Sequence, residues 1–552
     1  MTVSVALKSR YGMCWGLATL MVATACTGEF DLSGPGAGHG DGQGGQAAEG
    51  GTTPTAPAGG AANASDGGAA AEPGSVDSAG GAGGAEVGGE AGGHTEDAGG
   101  ASHSWGGGPS EAAGAGAGGV APVGQGCDLE GGTGGAGAAD GATGRIVVGA
   151  TGVAFSASPG RSVLKRDVIV YGATGRTDVA WSATSDQPWL CVSSGGKTGQ
   201  ALRLAADPTG LAAGETHFAT VKVTSRGENV ETIRVGLHVL DQVPQNFSLT
   251  LGGAYLATSP VEPIAFIANG GTDVAGYDVF SGERVRLLTQ VVANAGALTL
   301  RGDGRTLFVF DRNNLRVQEV DAVTGALVHS YPSPGSNGSG LLYLRPGAYP
   351  TLVVPSAALY DVASGQLLEN ASLHSSASLM ASADGSIAVN ESGTVYSVAR
   401  SGANGDTASV QMLFNTGTAQ GREGQACLSA DGTTVYTASG YPYNFPGVSF
   451  STHQSVQVLP GSSYPNSMLC GWNNLVIGGI DGYYDATDVW VYDGPSGVEL
   501  AKMSSAAATS YRGLINRGLA MSGDGSRLVT LSGGFVGSGV LETRFQSLPA
   551  PP

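Results

Sequence analysis

The chain has 552 residues and a formal net charge of -19, enough length for two or three domains. Residues 27–126 hold twelve Asp/Glu and no Lys or Arg, so about two-thirds of the net charge sits in one segment and says little about the rest. Phosphate binding needs clustered Lys/Arg, and no such cluster occurs, which argues against nucleic acid as a partner.

The first residues read as an export signal. Lys8 and Arg10 supply a charged start, and Tyr11 to Ala25 is an apolar run shorter than a bilayer span. The run ends Val22-Ala23-Thr24-Ala25-Cys26, and two readings compete there. Ala23-Thr24-Ala25 satisfies the small-x-small rule of ordinary signal cleavage. A small residue directly before Cys26 instead resembles the bacterial lipobox, which implies that Cys26 becomes the lipidated first residue; Ala23 departs from that pattern, where Leu is usual. Both readings cut after Ala25 and export the chain. Residues 26–126 are rich in Gly and Ala with few large apolar side chains. Such a segment cannot bury enough surface to offset backbone ordering and is expected to be a disordered acidic tether. A Gly-rich coil of about a hundred residues spans roughly 55 Å end to end, a spacer's reach.

From 127 to 241 the pattern changes to short β-rich runs, among them Val168-Ile169-Val170-Tyr171, Val179-Ala180-Trp181 and the strict alternators Thr220 to Thr224 and Ile233 to Val239. About seven such runs without helical period predict an immunoglobulin-like sandwich. Trp181 and Trp189, lying in β-runs, are expected in its core rather than as sugar platforms. Pro188-Trp189-Leu190-Cys191-Val192-Ser193 followed by Asp207-Pro208-Thr209-Gly210-Leu211-Ala212-Ala213-Gly214 resembles the BACON domain of exported bacterial proteins, over residues 145 to 240. That resemblance implies a non-catalytic module, associated with carbohydrate or mucin, or a spacer.

Residues 246–547 carry a repeat. The pattern apolar-Asp-x-x-Ser/Thr-Gly occurs at Asp278, Asp321, Asp361 and Asp493, in steps of 43, 40 and 132 residues, the last being three steps of 44 with two copies decayed. A second element, strand, Asp-Gly turn, strand, recurs around Asp303, Asp384, Asp431 and Asp524. A period in the forties with two hairpin turns per unit predicts four-stranded propeller blades. A grid of 40 to 47 residues places them near 246–290, 291–332, 333–372, 373–415, 416–458, 459–505 and 506–547. Seven blades fit best, with six or eight as alternatives. The pattern resembles the YVTN-type propellers of bacterial surface and periplasmic proteins, without the literal Tyr-Val-Thr-Asn. The chain is therefore expected to be all-β, a sandwich plus a propeller behind a Gly-rich linker.

Chemistry is sparse. There is no His-Glu-x-x-His, no Gly-x-Ser-x-Gly and no Cys-x-x-Cys, and His329, His374 and His453 are scattered, so no catalytic residue, metal or cofactor is expected. Arg301-Gly302-Asp303 is a hairpin turn by its equivalence to the other blades. The densest polar and aromatic loop holds Asp481, Tyr483, Tyr484, Asp485 and Asp488, a low-specificity ligand candidate set against an ordinary solvated loop. In an exported chain Cys127 with Cys191 and Cys427 with Cys470 form an even set; Cys427 and Cys470 lie one blade apart, and bridges and buried thiols both remain open. The reading favoured is a monomeric, lipid-anchored envelope or cell-surface protein that binds a carbohydrate or another surface protein without catalysis. The alternatives are an envelope scaffold and a propeller-class lyase or hydrolase.

Overall fold

The computed structural model describes residues 142–550 except 159–162, 227, 252, 334–339, 356–357, 369–378, 403, 418–424, 439–442, 463, 482–486, 507–511 and 535–541, and near the start the backbone of Ser4–Ala6 and Leu17–Thr19, which pair antiparallel. The fold is all-β. No helix among the described residues is long and apolar enough to cross a membrane.

The first body is a two-sheet sandwich. One sheet runs Gly152–Ala157, Val230–Val239, Thr216–Ser225, Ala180–Ser185, Gly195–Lys197; the other runs Ile146–Val148, Leu164–Gly172, Ala201–Ala206, Leu190–Val192. The alternation read from sequence is the burial pattern: Ala219, Val221 and Val223 point inward while Thr220, Lys222 and Thr224 do not. Trp181 and Trp189 lie in the core with Val153, Phe155, Leu204 and Ile233, where their burial supplies apolar area.

The second body is a ring of seven sheets. Their innermost strands are Tyr255–Thr258, Ala295–Leu300, Leu342–Leu344, Leu379–Ala381, Ala426–Leu428, Pro465–Cys470 and Arg512–Met521. Each packs against the next, and the seventh returns to the first, so the ring is closed. Closure is also made in a strand ladder: Phe247–Leu249 pairs with Glu542–Ser547 and becomes the outer strand of the seventh sheet. The sequence grid assigned residue 246 onward to the first blade. The difference arises because the pairing joins residues some 300 apart, as Phe247 with Phe545, which no local pattern reports. Pairing both ends of the propeller completes the seventh sheet to four strands and ties the start of the ring to its end.

The repeat is hairpin chemistry. Asp321 Oδ1 accepts the backbone N–H of Val323 and Thr324 and the Thr324 hydroxyl, and Gly325 takes φ 73°. The turn at Asp278 does the same with Phe280 and Ser281, and those at Asp361 and Asp493 with Ser364 and Ser496. The two decayed copies are visible. In the fifth blade Ser449 replaces the aspartate, its Oγ accepting the Thr452 N–H, and His453 takes the glycine's place at φ 58°. In the fourth, a longer hairpin joins Thr394–Ser401 to Thr407–Asn415.

Candidate functional site

In an antiparallel four-strand meander the first and third hairpin turns emerge at the same end. All the repeated turns therefore share one face of the ring, and the sandwich docks on that face. Arg166 donates to the Gly523 carbonyl at 2.9 Å and lies 3.8 Å over the Trp472 ring; Ser156 meets the Asp524 carboxylate. Arg234 donates to the Asp303 carbonyl at 3.2 Å, Arg345 pairs with Glu231 at 2.6 Å, and Arg145 donates to the Tyr349 hydroxyl at 2.8 Å. His238 stacks on Phe280 of the first blade. Two sandwich glycines permit direct backbone approach: a Cβ on Gly152 would fall 2.0 Å from the Gly302 carbonyl oxygen, and one on Gly236 2.1 Å from that of Val261. With partners on the first, second, third, sixth and seventh blades, the sandwich stands across the ring. Burial pulls the Arg166 guanidinium down to about 9 against the attraction of Asp524.

The opposite face carries the connections that do not repeat, and at the fifth and sixth blades it holds an aromatic pair. Tyr443 and Tyr464 have ring centroids 5.3 Å apart, and Tyr464 is 49% exposed. Both are non-glycine residues at positive φ, 61° and 55°, a backbone state that costs energy and persists where the surroundings impose it. The Asp481 N–H bonds the Tyr464 carbonyl at 3.0 Å, which sets this acidic residue beside the aromatic pair. Two amphipathic rings and a carboxylate on a rim can take up an apolar sugar face with its hydroxyls, or a protein side chain.

Of the loop singled out from sequence, Asp481 lies on this rim, and Tyr483, Tyr484 and Asp485 lie outside the described residues. Asp488 is placed differently from a ligand group. It is 2% exposed, and its carboxylate accepts the N–H groups of Ser505 and Leu514, at 2.6 and 3.1 Å, and the Ser505 hydroxyl. Burial raises its pKa, with the Ser505 bonds opposing. It ties the sixth blade to the seventh at Leu514, whose carbonyl also accepts from Asn466 at 3.1 Å. Immediately after Leu514 the innermost strand bulges, with residues 515–518 set against Leu531 alone. Arg517, at φ 64°, pairs there with Glu391 of the fourth blade at 3.6 Å, a bridge between non-adjacent blades over the central opening. The opening thus has the sandwich at one end and an ion pair across the other.

Cys427 and Cys470 form a disulfide between the fifth and sixth blades, with Cα atoms 5.6 Å apart. Cys191 is also disulfide-bonded; Cys127, its expected partner, and Cys26 lie outside the described residues. No group of three or more His, Cys, Asp or Glu with metal-binding geometry occurs among the described residues. The tyrosine pair is not among the residues singled out from sequence; its signal is the two Tyr-Pro-rich stretches, Tyr441-Pro442-Tyr443 and Tyr464-Pro465, one blade junction apart.

No protein-family model and no curated protein matches the chain. Among solved structures, it is similar to a chain of the "Crystal Structure of Mitotic Checkpoint Complex", at 14% identity and a TM-score of 0.42, over 55% of this chain and 94% of that one.

Proposed function

We propose that the chain is an exported surface protein that binds a carbohydrate or another surface protein through the propeller face opposite the sandwich, without catalysis. The observation that supports this reading most is the division of the two faces. The repeated turns are engaged by the sandwich, and the Tyr443, Tyr464 and Asp481 rim lies on the other side. A concave face on a rigid radial fold is a general place for such contacts. On this reading the sandwich is a BACON-like support, the propeller is of YVTN type, and the acidic tether holds both away from a lipid anchor at Cys26.

Two measurements test it. The mature protein, applied to a glycan array and to envelope-protein pull-downs, is expected to retain a ligand that Tyr464→Ala loses with unchanged melting temperature. Retention by the variant, or no ligand in either assay, would remove the binding reading and favour a scaffold. Mass spectrometry of the mature N-terminus is expected to find a diacylglyceryl Cys26, and an unmodified cysteine would remove the anchor.

A further inference from the structure

Aligned by their hydrogen-bond registers, the blades are copies of one another, and their departures can be read position by position. The third-strand residue paired with Phe308 of the second blade is Glu319. Its equivalents in the other six blades are Gly276, Leu359, Val395, Gly447, Val491 and Phe545, all glycine or apolar. At the start of the first hairpin turn, four blades have a serine: Ser259, Ser382, Ser429 and Ser522. The last three accept an N–H across the turn, from Ile387, Thr434 and Arg527 at 2.9, 2.9 and 3.0 Å. The second blade has Arg301 instead. The third blade has Arg345, which is committed to Glu231 of the sandwich.

Both departures of the second blade open into the same place, a cleft of about 370 Å³ between the second and third blades, walled also by His329, Ser364 and Gly365. Gly365 has φ 71°, and a Cβ there would fall 2.3 Å from His329 Nε2, so the imidazole lies directly against the glycine backbone. Glu319 is 4% exposed and receives one hydrogen bond, from the Tyr331 hydroxyl at 2.5 Å. Burying a carboxylate is costly unless it is well partnered. Arg301 lies 3.5 Å from Asp303, and no ion pair within 4 Å joins it to Glu319 among the described residues. Burial opposes the Arg301 charge, but Tyr343, Asp303 and Glu319 together hold its pKa above the usual value. The matching groove between the fifth and sixth blades is built differently. There Gln457 bonds the Tyr436 hydroxyl at 2.7 Å, and the groove's polar groups satisfy one another.

We propose that the cleft between the second and third blades binds a small hydroxy acid of uronic-acid type, its carboxylate on Arg301 and its hydroxyls donating to Glu319. A guanidinium presents a planar fork that matches a carboxylate. A carboxylate only accepts, so Glu319 selects a hydroxyl donor and rejects a second anion. The volume lies within the range of small-molecule sites. The cleft opens beside the repeated turns, away from the tyrosine rim, and stands independently of binding there.

The test is titration of the mature protein with D-glucuronate, followed by calorimetry or NMR, with D-glucose as the neutral control. Glucuronate is expected to bind, and glucose to bind about tenfold more weakly or worse. Arg301→Ser, which installs the repeat's own residue, is expected to lose glucuronate affinity by about tenfold or more, and Arg301→Lys, which keeps the charge without the fork, by a smaller factor. Tyr464→Ala is expected to bind glucuronate as wild type. Equal binding of glucose and glucuronate, full binding by both Arg301 variants, or loss in Tyr464→Ala with retention in Arg301→Ser would overturn the proposal.

Discussion

The two faces of the ring are built on opposite principles. The turn face repeats: Asp, Ser/Thr and Gly recur at fixed offsets because each blade solves the same local problem of reversing the chain. That uniformity gives the sandwich a regular surface to dock on, through arginines to turn carbonyls at Gly523 and Asp303 and through glycines where backbones touch. The other face does not repeat. Its described residues include Tyr443, Tyr464 and Arg517, all at positive φ without being glycine. Where a fold is made of copies, specific chemistry has to come from the places that differ, and Arg301 with Glu319 shows that a difference can also lie within an otherwise regular blade.

The comparison can be broken in graded steps. The largest effect is expected from Cys470→Ser. The bridge closes a separation of 43 residues and joins the fifth and sixth blades beside their repeated turns, and chain entropy puts its loss at about 4 kcal/mol. Chemical denaturation under non-reducing conditions measures it, and a change below about 1 kcal/mol would mean that blade packing alone holds this junction.

Next comes Glu231→Ala, which leaves Arg345 facing the sandwich without its carboxylate. Removing one partner of a buried pair costs about 3 kcal/mol, so the unfolding midpoint should fall accordingly, whereas an unchanged midpoint would show the contact to be solvated. Gly236→Val is smaller, about 2 kcal/mol from overpacking against the Val261 carbonyl. Its sharper readout is limited proteolysis near residue 243, which should quicken as the sandwich is wedged from the turn face; wild-type cleavage rates would count against docking there.

The smallest effect concerns acid. Burial works against ionisation of Asp321 and Asp361, but bonds from Thr324, and from Ser364 and Arg400, hold both below the ordinary 3.8. A depressed folded-state value means stability that is complete above the unfolded value and is lost as pH falls through the folded one. Melting temperature should therefore decline below about pH 4. Asp321→Asn should flatten that decline slightly, and an unaltered slope would mean that the turn carboxylates do not contribute to it.

Much of this was legible beforehand, for physical reasons. An Asx-type turn is a local event, so Asp278, Asp321, Asp361 and Asp493 announce the ring and its period; Trp181 lies within a strand and Trp189 directly before one, and both enter the core. The copy at Ser449 is legible from sequence only as a decayed one, because serine and His453 replace the two residues that define the pattern, although the turn still forms. Asp488 looked like a loop ligand from its neighbours in sequence, and its burial depends on Ser505 and Leu514, which belong to the next blade's approach. Tyr443 and Tyr464 meet because one blade's loop borders the next blade's first strand.

The sequence by itself determined the β-class, the blade period and the turn chemistry, since each is set by residues within a few positions of one another. Tertiary structure alone decided the rest. Closure of the ring by Phe247–Leu249, the choice of the turn face by the sandwich, and the walling of the cleft at Arg301 and Glu319 by Ser364 and Gly365 of the next blade all depend on contacts between residues distant along the chain. Hydrophobic alternation says which side of a strand is buried, but it carries no information about which distant surface does the burying.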